Sequence, residues 1–261
     1  MKAIIVSAGV GSRFGELTKD TPKALFDING YSILERQISV FNKLGISDIS
    51  VIIGPHIKKF TFKNISFIQD KNYLEHDILG SLMIASSIMD DEIIVSYGDV
   101  IFDEQVLESL INFNGSIGLG IDLNWEKKYI GKKSELKQEA STVQIKNNIC
   151  RTIIDGREQT MSKIKVNSKS SDNKKQKLGE FIGLMRLSKQ GSTIFIKRYE
   201  ELINSHIGPF HQASSISQAY FTDMLQELID NDVEILPIPI QGKWCEIDTP
   251  DDLALAKQLF K

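Results

Sequence analysis

Two short segments near the start of the chain could do chemistry on a polyphosphate. Ser7-Ala8-Gly9-Val10-Gly11-Ser12-Arg13-Phe14-Gly15 stands directly behind an apolar run, and Thr21-Pro22-Lys23-Ala24-Leu25 follows it. Small residues let backbone N–H groups approach phosphate oxygens with no Cβ in the way, so Ala8, Gly9, Gly11 and Ser12 are candidates for a cradle. Arg13 and Lys23 bring two cations to it, which suits a triphosphate that must be neutralised for attack at its α-phosphate. The plain alternative is a turn with surface cations. A dinucleotide fingerprint would need glycine where Phe14 stands, and a Walker loop would need a Gly-Lys-Ser/Thr that does not follow.

Further along, Ile93-Ile94-Val95-Ser96-Tyr97-Gly98-Asp99 delivers an aspartate to the C-terminal end of a buried-strand pattern, the edge where open α/β sheets bind ligands. Asp248 ends a second short extended segment, Trp244-Cys245-Glu246-Ile247-Asp248. Carboxylates beside a polyphosphate suit Mg²⁺, a hard cation whose shell the phosphates complete. Each aspartate could equally cap a turn or helix, Asp248 just ahead of Pro250.

AGxGSRFG followed by TPKAL resembles the signature of the nucleoside-triphosphate transferase (sugar-phosphate nucleotidyltransferase-like) family. The resemblance runs over essentially the whole chain. It is strongest at residues 1–30, 72–103, 179–191 and 221–256 and weak across 122–178. It implies that the loop binds a triphosphate and that Arg13 and Lys23 stabilise the transition state and the departing pyrophosphate. The Gly-Asp at Asp99 and the late Trp-x-Glu-Ile-Asp-Thr at Asp248 match the family's metal positions, which implies a Mg²⁺ held by that pair.

The segment Tyr73-Leu74-Glu75-His76-Asp77-Ile78-Leu79-Gly80-Ser81-Leu82 is similar to the base-contacting stretch of cytidylyltransferases for phosphocholine and aminoethylphosphonate. Asp77 stands where that group has Asn. With Gly80 and Ser81 it is expected at the nucleotide, where a carboxylate could accept from the exocyclic amine of cytosine. Asp77 as a helix N-cap is an equal and compatible reading. Gly179-Glu180-Phe181-Ile182-Gly183 is similar to a phosphonate-cytidylyltransferase motif whose glutamate faces the acceptor. Trp125, Tyr129 and Trp244 could flank a cationic acceptor or simply pack. Relatives often have Gly-Lys near the hairpin end where this chain has Gly156-Arg157. The resemblance thus implies transfer of CMP from CTP to a small phosphorylated or phosphonate acceptor, among them phosphocholine and phosphorylated amino-acid amides such as phosphoglutamine. Such products decorate cell-surface polysaccharides, capsules included. The alternatives are a sugar-1-phosphate nucleotidyltransferase and a catalytically silent regulatory subunit. The silent subunit would be expected to have lost one of the four charged residues kept here. A GT-A glycosyltransferase would need an Asp-x-Asp that Asp99-Val100-Ile101 does not supply.

These residues need a frame, and the pattern of the chain predicts one. Strand-like runs at Lys2–Ser7, Asp48–Ile53, Ser66–Gln69, Ile93–Ser96 and Ile117–Ile121 alternate with helical spacing at Ser32–Leu44, Gly80–Ile88 and Gln105–Phe113. Such alternation calls for an α/β, Rossmann-like, mostly parallel sheet flanked by helices. A hairpin at Ser141–Ile145 and Ile149–Ile154, then a strand at Glu180–Leu187, belong to an inserted β-rich lid over 122–190 within one nucleotidyltransferase domain of 1–261. Helices at Ser192–Ile203 and Ser217–Ile229, a strand at Val233–Ile240 and a helix from Pro250 complete it. Between Glu126 and Lys177 the chain carries 14 Lys and Arg against 6 Asp and Glu. This reads as a solvated basic loop or as a positive lid that draws in phosphates; the polar stretch Asn167–Gln176 reads as a mobile loop. The net charge of −3 argues against nucleic-acid partners. The absence of a long apolar run argues against a membrane span. Cys150 and Cys245 have no metal or disulfide spacing, and the expected location is cytoplasmic. A homodimer is left open.

Overall fold

The computed structural model describes residues 1–9, 11–129, 140–156 and 176–261. The first half alternates as expected. Strand β1 (Lys2–Ser7) leads through a short helix α1 (Glu16–Asp20) and a small hairpin, β2 (Asp27–Ile28) and β3 (Tyr31–Ser32), into helix α2 (Ile33–Lys43). Then come β4 (Ile49–Ile53), β5 (Ser66–Gln69), α3 (Ile78–Met83), β6 (Ile93–Tyr97), β7 (Val100–Phe102), α4 (Glu104–Ile111) and β8 (Ile117–Asp122). The second half supplies β9 (Thr142–Lys146), β10 (Ile149–Ile154), β11 (Gln176–Leu187), α5 (Lys189–Ser205), α6 (Phe221–Asp230), β12 (Leu236–Pro239), β13 (Trp244–Glu246) and α7 (Pro250–Leu259).

The main sheet runs in the order β10-β9-β11-β6-β1-β4-β5, with β8 on β11 and β12 on β8. β6, β1, β4 and β5 are parallel neighbours, and β11 is antiparallel to β6, β8 and β9. In β1 the alternation of side chains sends Ile4 and Val6 to a core shared with α3, α5 and α6. Ala3 and Ile5 go to a second core with α2 and α4. Burial on both faces is what an uninterrupted apolar strand requires. The hairpin β9–β10 turns through Asn147 and Asn148, both at positive φ, a two-residue connection matched to strand twist. It pairs with the start of β11, so the strands expected in the lid extend the main sheet. The remaining residues of that segment, 130–139 and 157–175, lie outside the described residues, and so do the basic-lid and mobile-loop readings placed on them. Among the described residues no helix is long and apolar enough to cross a membrane.

Three elements depart from the sequence pattern. The helix expected over Gly80–Ile88 begins earlier, at Ile78, because the Asp77 carboxylate accepts from the Ile78 N–H at 2.8 Å; it ends at Met83, before a 3-10 turn at Ser86–Ile88. The helix expected over Ser217–Ile229 is interrupted at Ala219–Tyr220, where Asp223 accepts from the Tyr220 N–H at 2.7 Å and starts α6 afresh. Strand β7 lies in a region too short for periodicity to register, and it pairs antiparallel with β13, Glu246 opposite Val100.

Candidate active site

The cleft opens at the C-terminal ends of β1 and β6. Behind β1 the chain turns through Gly11, whose φ of +64° and whose distance of 2.9 Å from a built Cβ to Thr18 both exclude a larger residue. Behind β6 the turn at Gly98–Asp99 comes so close to β1 that a Cβ on Gly98 would lie 2.5 Å from that of Ser7. The Gly98 N–H donates to Val6 O at 2.8 Å. The β7–β13 ribbon brings the far end of the chain to the same place: Ile247 N–H donates to Asp99 O at 2.9 Å. Beyond it, Asp252 in the first turn of α7 accepts from the backbone of Asp248 and Thr249 and holds Asp248 in place.

Four charged residues far apart in sequence therefore meet. Lys23 Nζ lies 2.8 Å from Asp99 Oδ2 and 2.7 Å from Asp248 Oδ1, and Arg13 reaches Asp248 Oδ2 at 2.9 Å. Burial alone would lower the Lys23 pKa, but Asp99 and Asp248 outweigh it and hold the ammonium above its ordinary value. Arg13 is 61% exposed at the rim, whereas Lys23 is 12% exposed at the floor. The rim cation can thus follow a ligand while the floor cation stays fixed.

Carboxylate oxygens of Asp99, Glu246 and Asp248 come within 4.8 Å of one another. Asp99 Oδ1 is buried and has no hydrogen-bond partner among the described residues, a costly arrangement for a carboxylate oxygen unless something cationic joins it. Three hard oxygen donors around such an atom fit Mg²⁺. Glu246 is not among the residues the sequence pattern points to; its one local signal is a spacing of two from Asp248, which puts both on one side of an extended segment. Glu246 is exposed and lines the cleft beside Asp99 and Asp248. Loss of hydration there, then Asp248 and Asp99, push its pKa well above the ordinary carboxylate value, against the pull of Lys23.

The cleft has a volume of about 370 Å³, within the range of small-molecule sites. Ala8, Gly9, Gly11, Arg13, Lys23, Asp77, Ser81, Asp99 and Asp248 all line it. A Cβ on Gly9 would meet nothing within 4 Å, so space is left where the cradle was expected. The side chain of Ser12 lies outside the described residues. Asp77, the N-cap of α3, and Ser81 within it stand one turn apart, with Ser81 N–H donating to Asp77 O at 3.1 Å. Ser81 Oγ donates at 2.7 Å to Asp70, a carboxylate with no exposed surface, and its oxygen is left as an acceptor toward the cleft. Gly80 does not line the cleft; it makes room for the ring of His76, which does.

The acceptor-side expectations divide differently. Glu180 is buried on β11 and close enough to Glu246 to raise its pKa, but it is not among the cleft-lining residues. Trp125 and Trp244 are both buried and neither lines the cleft, so the structure does not place them in a cation cage. The Tyr129 side chain and Arg157 lie outside the described residues. Both cysteines are buried, and burial pushes the Cys150 thiol up to about 12, which leaves it unreactive.

Residues 3–116 match the MobA-like NTP transferase domain. The chain is 26% identical to CTP:phosphoglutamine cytidylyltransferase of Campylobacter jejuni, over 97% of this chain and 98% of that protein. It is 33% identical to a bifunctional sugar-1-phosphate nucleotidylyltransferase/acetyltransferase of Sulfurisphaera tokodaii, over 49% of this chain and only 32% of that protein. The fold matches the CTP:phosphocholine cytidylyltransferase structure from Streptococcus pneumoniae with a TM-score of 0.70, at 17% identity, over 100% of this chain and 99% of that one. That likeness speaks to the fold alone.

Proposed function

We propose that this chain, a nucleotidyltransferase with a MobA-like NTP transferase domain at residues 3–116, transfers CMP from CTP to a small phosphorylated or phosphonate acceptor and releases pyrophosphate. The observation that carries the reading is the meeting of Lys23, Arg13, Asp99 and Asp248 beside an open glycine loop. An oxygen of the acceptor's phosphate attacks the α-phosphorus, a bond forms to it, and the bond to the bridging oxygen breaks. Pyrophosphate leaves with the electron pair. A phosphate or phosphonate oxygen is already ionised near neutrality, so no general base and no covalent enzyme intermediate is needed. Catalysis is then positioning and charge stabilisation. Gly9 and Gly11 admit the triphosphate, Arg13 gathers it at the rim, and Lys23 meets the charge that grows on the leaving group. Asp99, Glu246 and Asp248 would hold Mg²⁺, which when bound orients the phosphates and offsets their charge.

Cytosine is supported by two acceptors on one face of α3, Asp77 and the Ser81 oxygen, which suit an exocyclic amine and not the carbonyl of uracil or thymine. The full-length similarity to a phosphoglutamine cytidylyltransferase points the same way and makes a phosphorylated amino-acid amide a leading acceptor class. The product would feed a transferase that decorates a cell-surface polysaccharide, and buried thiols fit a reducing cytoplasm. Pyrophosphate release across CTP, UTP, dTTP, ATP and GTP with a panel of phosphoglutamine, phosphocholine, aminoethylphosphonate and glucose 1-phosphate tests the reading. CTP is expected to lead by about tenfold or more in kcat/KM, the worth of one well-placed hydrogen bond. A lead of that size for UTP or dTTP with the sugar phosphate would establish the sugar-nucleotide reading in its place.

A further inference from the structure

Gln37 lies in α2 and does not line the cleft. Its side chain is 1% exposed among Leu34, Val40 and Phe41, where packing alone would ask for leucine or methionine. A buried amide is tolerated only if its polar atoms are satisfied, and here each has a partner on one segment. Nε2 donates to Tyr97 O at 2.9 Å and to Val100 O at 2.6 Å, and Oε1 accepts from Ser96 Oγ at 3.0 Å. The two carbonyls flank Gly98 and Asp99. The rest of that turn is held from other directions, by the bond of Gly98 N–H to Val6 O and of Ile247 N–H to Asp99 O. Gln37 is therefore the strut that fixes the turn from the helix side.

We infer that Gln37 is a positioning residue for Asp99. It sets the Tyr97–Val100 turn so that the Asp99 carboxylate meets Glu246 and Asp248 at metal-binding range, and it acts without touching ligand. The inference rests on the proposed role of Asp99 as a metal ligand. The test is Mn²⁺ titration of the full, nucleotide-free chain with free Mn²⁺ read by paramagnetic resonance, alongside steady-state kinetics. The proteins are wild type, Gln37→Met, Gln37→Glu, Asp99→Asn and Val40→Ala. Gln37→Met keeps the length and removes the donors; Gln37→Glu serves the same comparison if the methionine variant does not fold. Val40→Ala removes packing from the same helix and leaves the turn alone. Loss of such an outer support commonly costs about 10- to 100-fold in metal affinity or activity. The expected result is an Mn²⁺ Kd raised by about tenfold or more for the Gln37 variants and a kcat lowered to match, with nucleotide KM within about twofold of wild type. Val40→Ala should lower Tm with no change in Mn²⁺ Kd. If Asp99→Asn abolishes Mn²⁺ binding while both Gln37 variants bind as wild type does, the role of Gln37 is overturned and the metal site stands. If wild type shows no Mn²⁺ binding that Asp99→Asn removes, the metal site falls and the inference with it.

Discussion

Lys23→Ala is expected to lower kcat by about 10³-fold while nucleotide KM changes only a few-fold. The reason is position. Lys23 is the floor cation, fixed by Asp99 and Asp248 at 2.8 and 2.7 Å, and its interaction should strengthen as charge moves onto pyrophosphate. Single-turnover rates separate this from ground-state binding: a variant altered only in nucleotide KM would make Lys23 a substrate anchor and nothing more. Removal of the Lys23 ammonium has a second, opposite consequence. In the ligand-free protein Lys23 and Arg13 occupy Asp99 Oδ2 and both oxygens of Asp248, so a divalent ion must compete with them. Removing one ion of a buried pair leaves its partners uncompensated. Lys23→Met should therefore bind Mn²⁺ about tenfold or more tightly than wild type even as turnover collapses. Unchanged or weaker Mn²⁺ binding would show that the lysine does not hold the metal's place.

Asp99→Asn and Asp248→Asn carry the other large expected effect. Each removes one charged ligand from a set of three and should lower kcat in Mg²⁺ by about 10³-fold, on the order of 4 kcal/mol of transition-state stabilisation. Each variant leaves Lys23 one carboxylate partner, so unfolding midpoints should stay close to wild type. Asp248→Asn should also loosen Arg13, which pairs with Asp248, and so raise nucleotide KM as Asp99→Asn does not. Near-wild-type turnover for either variant would remove that residue from the site.

Much of this site could be read from the residues because each chemical group announced itself locally. The glycine loop with Arg13 and the Gly98–Asp99 turn sit directly after strands whose apolar runs are unambiguous, and Lys23 lies in the Thr-Pro-Lys segment that follows the loop. The capping chemistry of Asp77 was equally visible, since a carboxylate one residue before an apolar helix has a nearby N–H to accept from. The remainder depended on contacts between distant segments. Strand β7 is three residues long, too short for any period, and exists because β13 pairs with it. Gln37 reads as an ordinary polar residue in a helix until the turn above it is placed. Trp125 could pack or cage a cation, and its burial is a property of the tertiary core. The β9–β10 hairpin was readable as a hairpin, but its membership of the main sheet follows from pairing with the long β11, a long-range choice that no local pattern carries.

The central claim is that the cleft hands the nucleotidyl group straight from CTP to the acceptor, by charge stabilisation and without a protein nucleophile. The configuration at phosphorus tests it most directly, using CTP with a chiral α-phosphorothioate and the best acceptor from the pyrophosphate-release panel. A single in-line displacement, aided by Lys23 and Arg13, predicts inversion at the α-phosphorus. Net retention would mean two displacements and a nucleotidyl-enzyme intermediate, and would contradict the account.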